Sequence, residues 1–201
     1  MVKNWKCAFI NKQLGENRMN KKFTVKHIVA IGIGAAVFFI LKRFVTIPTG
    51  VPNTDIATAY PFLALLGVVY GPVVAGLAGF IGHALGDLTT YGAWWSWIIA
   101  SGILGVFFGL LTKRIPIEEG IFGKKEITLF LVGETIANLV TWVIIAPVGD
   151  ILIYAEAPSK VFTQGIVAGI TNAIVTGIIG IILLKAYAQT KVKKGSLNKE
   201  A

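Results

Sequence analysis

Six apolar stretches follow one another along the chain: Val25 to Val45, Ala57 to Tyr70, Val73 to Thr90, Trp94 to Thr112, Ile127 to Val148 and Lys160 to Tyr187. A bilayer core of about 30 Å takes about 20 apolar residues in a helix. The pattern therefore predicts an all-α membrane protein, a compact bundle of six transmembrane helices. The second and third stretches touch in sequence, but Gly71-Pro72 breaks them apart, because proline removes a helix hydrogen bond and restricts the residue before it. An even number of spans leaves both termini on one side. Lys21, Lys22 and Lys26 before the first span, Lys113, Arg114, Lys124 and Lys125 between the fourth and fifth, and Lys185, Lys191, Lys193 and Lys194 at the end all fall on that face. By the positive-inside rule the N- and C-termini are cytoplasmic.

Three segments follow from this reading: a basic N-terminal extension over residues 1–21, a transmembrane domain over 22–188 and a basic cytoplasmic tail over 189–201. Met19-Asn20-Lys21-Lys22 reads as an ordinary start of a bacterial membrane protein, and Gly15-Glu16 can be encoded by a purine-rich ribosome-binding sequence just upstream. Met19 is the expected native start; the alternative is a genuine basic extension. Lys42 and Arg43 depart from the charge rule at the outer end of the first span. Snorkelling to the outer interface is the favoured reading, with attraction of an anionic ligand as the other.

Polar residues inside the spans are the best pointer to function, since ionisable and amide groups are costly in hydrocarbon and normally face a bundle interior or a cavity. His83 and Asp87 share one face of the third span at i, i+4 spacing, and Glu134, Asn138 and Trp142 form a similar stripe on the fifth. Gln164 falls near the outer end of the sixth span and Asn172 near its middle. Three helices thus bring hydrogen-bonding groups to the middle and outer layers, as a pocket for a small polar ring compound requires. The alternative is a network that pins the bundle, with His83 paired to Glu134 or Asn138. Glu134 stands apart, deep enough on the inner side to pair with Lys113 or Arg114.

The outer loops are expected at Thr46 to Asp55, stiffened by Pro48 and Pro52, at Tyr91-Gly92-Ala93, and at Gly149 to Pro158. Trp94, Trp95 and Trp97 follow the second. They form an interfacial aromatic belt, or at least one of them stacks on a ligand. Small residues recur every fourth position: Gly165, Gly169, Ala173 and Gly177 on the sixth span; Gly71, Ala75 and Gly79 on the third; Gly105 and Gly109 on the fourth. Such rows let helix backbones approach closely in lipid. On the first span Ala30 pairs with Gly34 and Gly32 with Ala36. That helix is otherwise apolar all round, which makes its small-residue face a candidate for docking a partner.

Composition narrows the classes. Of 201 residues 55% are hydrophobic and 14% charged, and the formal net charge is +9. The basic residues cluster at the ends and in one loop rather than on an amphipathic face, which fits anionic headgroups and not nucleic acid. One cysteine, Cys7, excludes an intramolecular disulfide and a thiolate metal cluster. No phosphate-binding loop, HExxH, GxSxG or intramembrane protease arrangement occurs. No cofactor, metal or catalytic residue is expected, and the chain is read as not an enzyme. Inverted repeats of a secondary transporter are not visible.

A family likeness rests on Ala30-Ile-Gly-Ile-Gly-Ala-Ala36, Ile47-Pro48, Pro52-Asn53-Thr54, Pro61-Phe62-Leu63-Ala64-Leu65, Tyr70-Gly71-Pro72-Val73, Gly79-Phe80-Ile81-Gly82-His83-Ala84-Leu85-Gly86-Asp87 and Trp94-Trp95-Ser96-Trp97. Over about Lys22 to Lys185 the chain resembles the substrate-binding S components of energy-coupling-factor (ECF) transporters, nearest to the riboflavin-type group. The resemblance implies a six-helix membrane subunit that captures a vitamin or similar micronutrient outside a bacterial plasma membrane. A transmembrane T component and two ABC-type ATPases would then drive its release inside. It also implies docking of the T component on Ala30, Gly32, Gly34 and Ala36, although the family's alanine-rich face is partly glycine here. The ligand site would lie toward the outer side, closed by the first outer loop. The expected contacts are Asp87, Asn138, Trp142, Gln164 and Asn172, with His83 orienting and Asn53 and Trp95 as lid or rim. The substrate stays open. A self-sufficient facilitator and a structural membrane protein without a ligand are the alternatives.

Overall fold

A computed structural model describes residues 23–191. The expected extension over residues 1–21, with its start at Met19, and the tail beyond Lys191 lie outside the described residues.

Six helices are present among the described residues: α1 Val25–Phe44, α2 Ala59–Tyr70, α3 Pro72–Leu88, α4 Trp95–Leu110, α5 Lys124–Tyr154 and α6 Pro158–Gln189. Three of them, α1, α5 and α6, are long and apolar enough to cross a membrane, while α2, α3 and α4 are shorter apolar helices. The break between α2 and α3 falls at Gly71, whose φ of 92° is open to glycine and strained for other residues, and Pro72 opens α3, where its missing N–H costs nothing.

Outer faces are those of a membrane protein. Ile166, Ile170, Ile174, Ile178 and Ile182 form an exposed apolar row along α6, and Val73, Leu77, Ile81 and Leu85 one along α3. Soluble proteins rarely leave such continuous apolar stripes uncovered.

The small-residue rows lie on the opposite faces and set the helix spacing. A side chain at Gly165 would stand 2.3 Å from the Trp142 carbonyl oxygen, one at Gly105 2.4 Å from the Ala75 carbonyl oxygen, and one at Gly109 2.2 Å from Pro72 Cα. These are backbone obstacles that cannot rotate aside. Gly105→Ala is expected to cost about 1–3 kcal/mol, the usual range for overpacking, read as a lower unfolding midpoint in detergent. On α1 the predicted docking face splits. Gly34 packs inward on Leu66 and Ala78, so it is not free for a partner, whereas Gly32 has open space beside it and Ala36 is exposed.

Two loops differ from expectation. The first is a short antiparallel hairpin, β1 Thr46–Pro48 with β2 Asp55–Ala57, in the register Thr46 to Ala57, Ile47 to Ile56 and Pro48 to Asp55. The second correction concerns the stretch from Gly149 to Pro158. Its first six residues continue α5, and only Ala155 to Ala157 connect α5 to α6. The helix passes Pro147 through a π-helical segment, Val140–Ile145. Proline cannot donate to the preceding turn, and a π turn is a common way for a helix to absorb such an interruption.

At the opposite end from the hairpin, Glu118 accepts hydrogen bonds from the Tyr187 hydroxyl at 2.6 Å and pairs with Lys191 at 2.9 Å. Burial acts to raise the Glu118 pKa, but the Tyr187 hydroxyl and the Lys191 ammonium outweigh it and hold the group below its ordinary value. A carboxyl whose folded pKa is depressed stabilises above its unfolded pKa and loses that contribution as pH falls through the folded one. Acid titration of the wild type should therefore loosen the end of α6 below the ordinary carboxylate range, and Glu118→Gln should abolish that pH dependence in hydrogen exchange of residues near Tyr187.

Candidate functional site

At the hairpin end of the bundle a cavity opens, with a volume of about 830 Å³ counted out to its mouth. The hairpin closes one side, contributing Asn53, Thr54 and Asp55. Its position is fixed by α6. The Gln164 side-chain amide donates to the Pro52 carbonyl at 2.8 Å, and Asn172 Oδ1 accepts from the Ala57 N–H at 3.3 Å. Both amides also line the cavity.

The opposite wall is a polar chain across four helices. Lys42 of α1 donates to Asp87 Oδ1 at 2.9 Å, and His83 Nε2 lies 3.3 Å from the same oxygen. His83 Nδ1 shares a hydrogen bond with the Ser101 hydroxyl, which lies 3.2 Å from the Tyr60 hydroxyl. Asp87 also accepts from the Tyr91 hydroxyl at 3.1 Å and the Trp94 N–H at 3.3 Å. Lys42, His83 and Tyr60 face the cavity; Asp87 stands behind them, fully buried. The snorkelling expected of Lys42 is thus corrected: its ammonium turns inward because Gly86 leaves room for its stem and Asp87 supplies a buried counter-charge. The pairing of His83 with Glu134 or Asn138 is likewise replaced by Asp87 and Ser101.

Aromatic rings make the third wall. Trp94 and Trp97 line the cavity, whereas Trp95, expected at the rim, is 48% exposed and absent from the lining. Trp94 and Trp97 are three residues apart and so fall within about 60° on one side of the helix, while Trp95 points about 100° away from Trp94. Behind this wall lies the expected stripe of α5. Trp142 Nε1 donates to Asn138 Oδ1 at 3.2 Å, and the Asn138 amide donates to Glu134 Oε2 at 3.0 Å. Glu134 also accepts from Thr135 at 3.1 Å, so it is held within α5 rather than by Lys113 or Arg114. Trp142 sits with ring centres 5.2 Å from both Tyr60 and Trp97. Asn138 and Trp142 therefore support the two lining rings and do not line the cavity themselves.

Sequence reasoning missed Tyr60 and, with more consequence, Asp150. The latter is 1% exposed and faces the cavity from α5. It accepts from Trp94 Nε1 at 2.6 Å and Trp97 Nε1 at 2.8 Å, and from the Ser96 hydroxyl. In a regular α-helix Asp150 would lie about 80° around the axis from Trp142. One residue absorbed by the π turn removes about 100° and brings the two within about 20°. The signal for it was weak but present: Pro147 inside an apolar run, followed by an acid eight residues after Trp142.

A helical bundle with lipid-suited outer faces and a polar, aromatic-walled cavity under a hairpin is the build of a membrane-embedded substrate-binding subunit. The chain belongs to the family described as ECF-type riboflavin transporter, S component, whose model matches residues 22–189. It is 56% identical over 183 residues to a UPF0397 protein of Enterococcus faecalis, covering 90% of this chain and 100% of that one. A UPF0397 protein of Lactobacillus gasseri is 57% identical over 185 residues, with 90% and 100% covered. Among solved structures, a crystal structure of FolT bound with folic acid superposes with a TM-score of 0.56 at 17% identity, covering 83% of this chain and 96% of that one. Such likeness speaks to the shared fold. The family consists of integral membrane transporter subunits and not of enzymes.

Proposed function

We propose that the chain captures a vitamin-like heteroaromatic micronutrient from outside a bacterial plasma membrane and hands it to a T component powered by two ABC-type ATPases. All six helices span the bilayer in this reading, the hairpin end faces outward and both termini face the cytoplasm, in line with the Lys/Arg distribution. The observation that carries the reading is the cavity itself, with Trp94, Trp97 and Tyr60 offering flat apolar surface, Gln164 and Asn172 offering hydrogen bonds, and His83 orienting its neighbours from the wall. Asn53 and the hairpin serve as the lid, and Asp87, Asn138 and Trp142 hold the lining groups in place. The exposed strip of α1 that includes Gly32 and Ala36 is the surface for the T component. Riboflavin enters as a candidate through the family description, and folate only as the ligand named for the FolT structure.

Native mass spectrometry and absorbance of the protein purified from membranes test this directly. A bound small molecule is expected, and a flavin spectrum would identify it as riboflavin. In titrations with that molecule, Trp97→Ala should weaken binding at least tenfold, about 1.4 kcal/mol or more. Absence of any bound molecule, with no binding across a vitamin panel, would overturn the reading in favour of a structural protein. Uptake that persists without T component and ATPases would favour a facilitator.

A further inference from the structure

Formal charges around the cavity do not balance: among the described residues Asp55 at the mouth and Asp150 in the wall have no cation paired to them, and Asp150 is the buried one. Of the lining cations, Lys42 is taken by Asp87 at 2.9 Å and Lys160 by Glu156 at 2.8 Å. Asp150 has no ion-pair partner among the described residues; its three donors are the neutral groups of Trp94, Ser96 and Trp97. Buried charges are normally paired, and this one lies in the wall of a cavity open to a ligand.

The geometry leaves room for one more donor. A carboxylate offers about four acceptor positions. Oδ1 takes Trp94 and Ser96, while Oδ2 takes only Trp97. Both indole N–H groups donate to the carboxylate, so each ring meets it edge-on and is held beside it. Trp94 is braced by Tyr154 at 4.4 Å between ring centres, and Trp97 by Trp142 at 5.2 Å. A buried carboxylate held by two braced indoles, with an acceptor position left over and no cation beside it, is suited to a positive group. Asp55, exposed on the hairpin and lining the mouth, adds a negative charge at the entrance that would steer such a group inward.

We propose that the ligand of this cavity is a heteroaromatic cation whose positive N–H or N-alkyl pole docks at Asp150, beside Trp94 and Trp97. This rests on the substrate-capture reading above and sharpens it. An anionic ligand would have to compete with Asp87 for Lys42 while approaching Asp150.

The test uses the full chain in lipid nanodiscs, with tryptophan fluorescence as readout. Two probe series vary charge: 1-methylnicotinamide, nicotinamide and nicotinate on one ring, and thiamine, riboflavin and folate at larger size. Native mass spectrometry of the protein from rich medium gives the charge of any co-purified molecule. The tightest binder or co-purified molecule is expected to be a cation, preferred by about tenfold or more over its neutral counterpart, as a hydrogen bond to a charged group allows. Asp150→Asn, which keeps size and one acceptor oxygen, should erase that preference, with cation affinity falling at least tenfold further than the affinity for the neutral probe of the same ring. If the variant does not fold, the charge ranking on the wild type decides alone. A neutral or anionic best binder overturns this inference and leaves the capture reading standing. No binding by any probe, with no co-purified molecule, overturns both.

Discussion

Asp87→Leu is expected to destabilise the bundle by about 3 kcal/mol, near the lower end for removing one partner of a buried ion pair. Asp87 is fully buried and gathers Lys42, His83, Tyr91 and the Trp94 backbone from three segments. Its loss strands an ammonium and an imidazole beside each other with no counter-charge. The lower end applies because the Lys42 side chain keeps 18% exposure and can turn toward the mouth. The double variant Lys42→Met/Asp87→Leu should recover most of the stability, because replacing both partners by apolar groups removes the uncompensated charge. Unfolding midpoints in detergent would decide the matter. A single variant as stable as the wild type, or a double variant no better than the single, would show that the pair does not hold α1 to α3.

Trp142→Ala should have the larger effect, about 3–5 kcal/mol, as for other fully buried aromatic truncations. The ring is entirely buried, touches Tyr60 and Trp97 and donates to Asn138. Removing it opens a void behind the cavity wall and frees both lining rings, so ligand affinity should fall together with stability. Trp142→Phe separates the two consequences. It keeps most of the packing while losing the indole hydrogen bond, so its stability should lie much closer to the wild type. Equal losses in both variants would locate the effect in the Asn138 hydrogen bond rather than in the ring.

Much of the bundle was legible because lipid imposes simple rules. Six apolar runs gave six helices, Gly71-Pro72 marked the turn between α2 and α3, and the small-residue rows on α3, α4 and α6 marked where backbones meet. That Gln164, Asn172, His83 and Asn53 line the cavity follows from local rules, since an amide or imidazole within an apolar run must find partners inside, and a residue directly after Pro52 belongs to a stiff connection. The assignments that shifted were those set by rotation about a helix axis. Trp94 and Trp97, not Trp95, face the cavity, and Asn138 and Trp142 stand one layer behind it.

By itself, then, the sequence determined that this is a helical membrane protein of the ECF S-component family, with polar groups concentrated toward one end. Hydrophobic run length, glycine spacing and proline are local properties that a chain displays openly. Only the tertiary structure decided which polar groups share a cavity. Lys42 turned inward because Gly86 and Asp87 on another helix made space and supplied charge. Asp150 joined the aromatic wall because a π turn before Pro147 rotated the end of α5 into register with Trp142. That rotation changes no residue and no hydropathy, so no pattern along the chain records it.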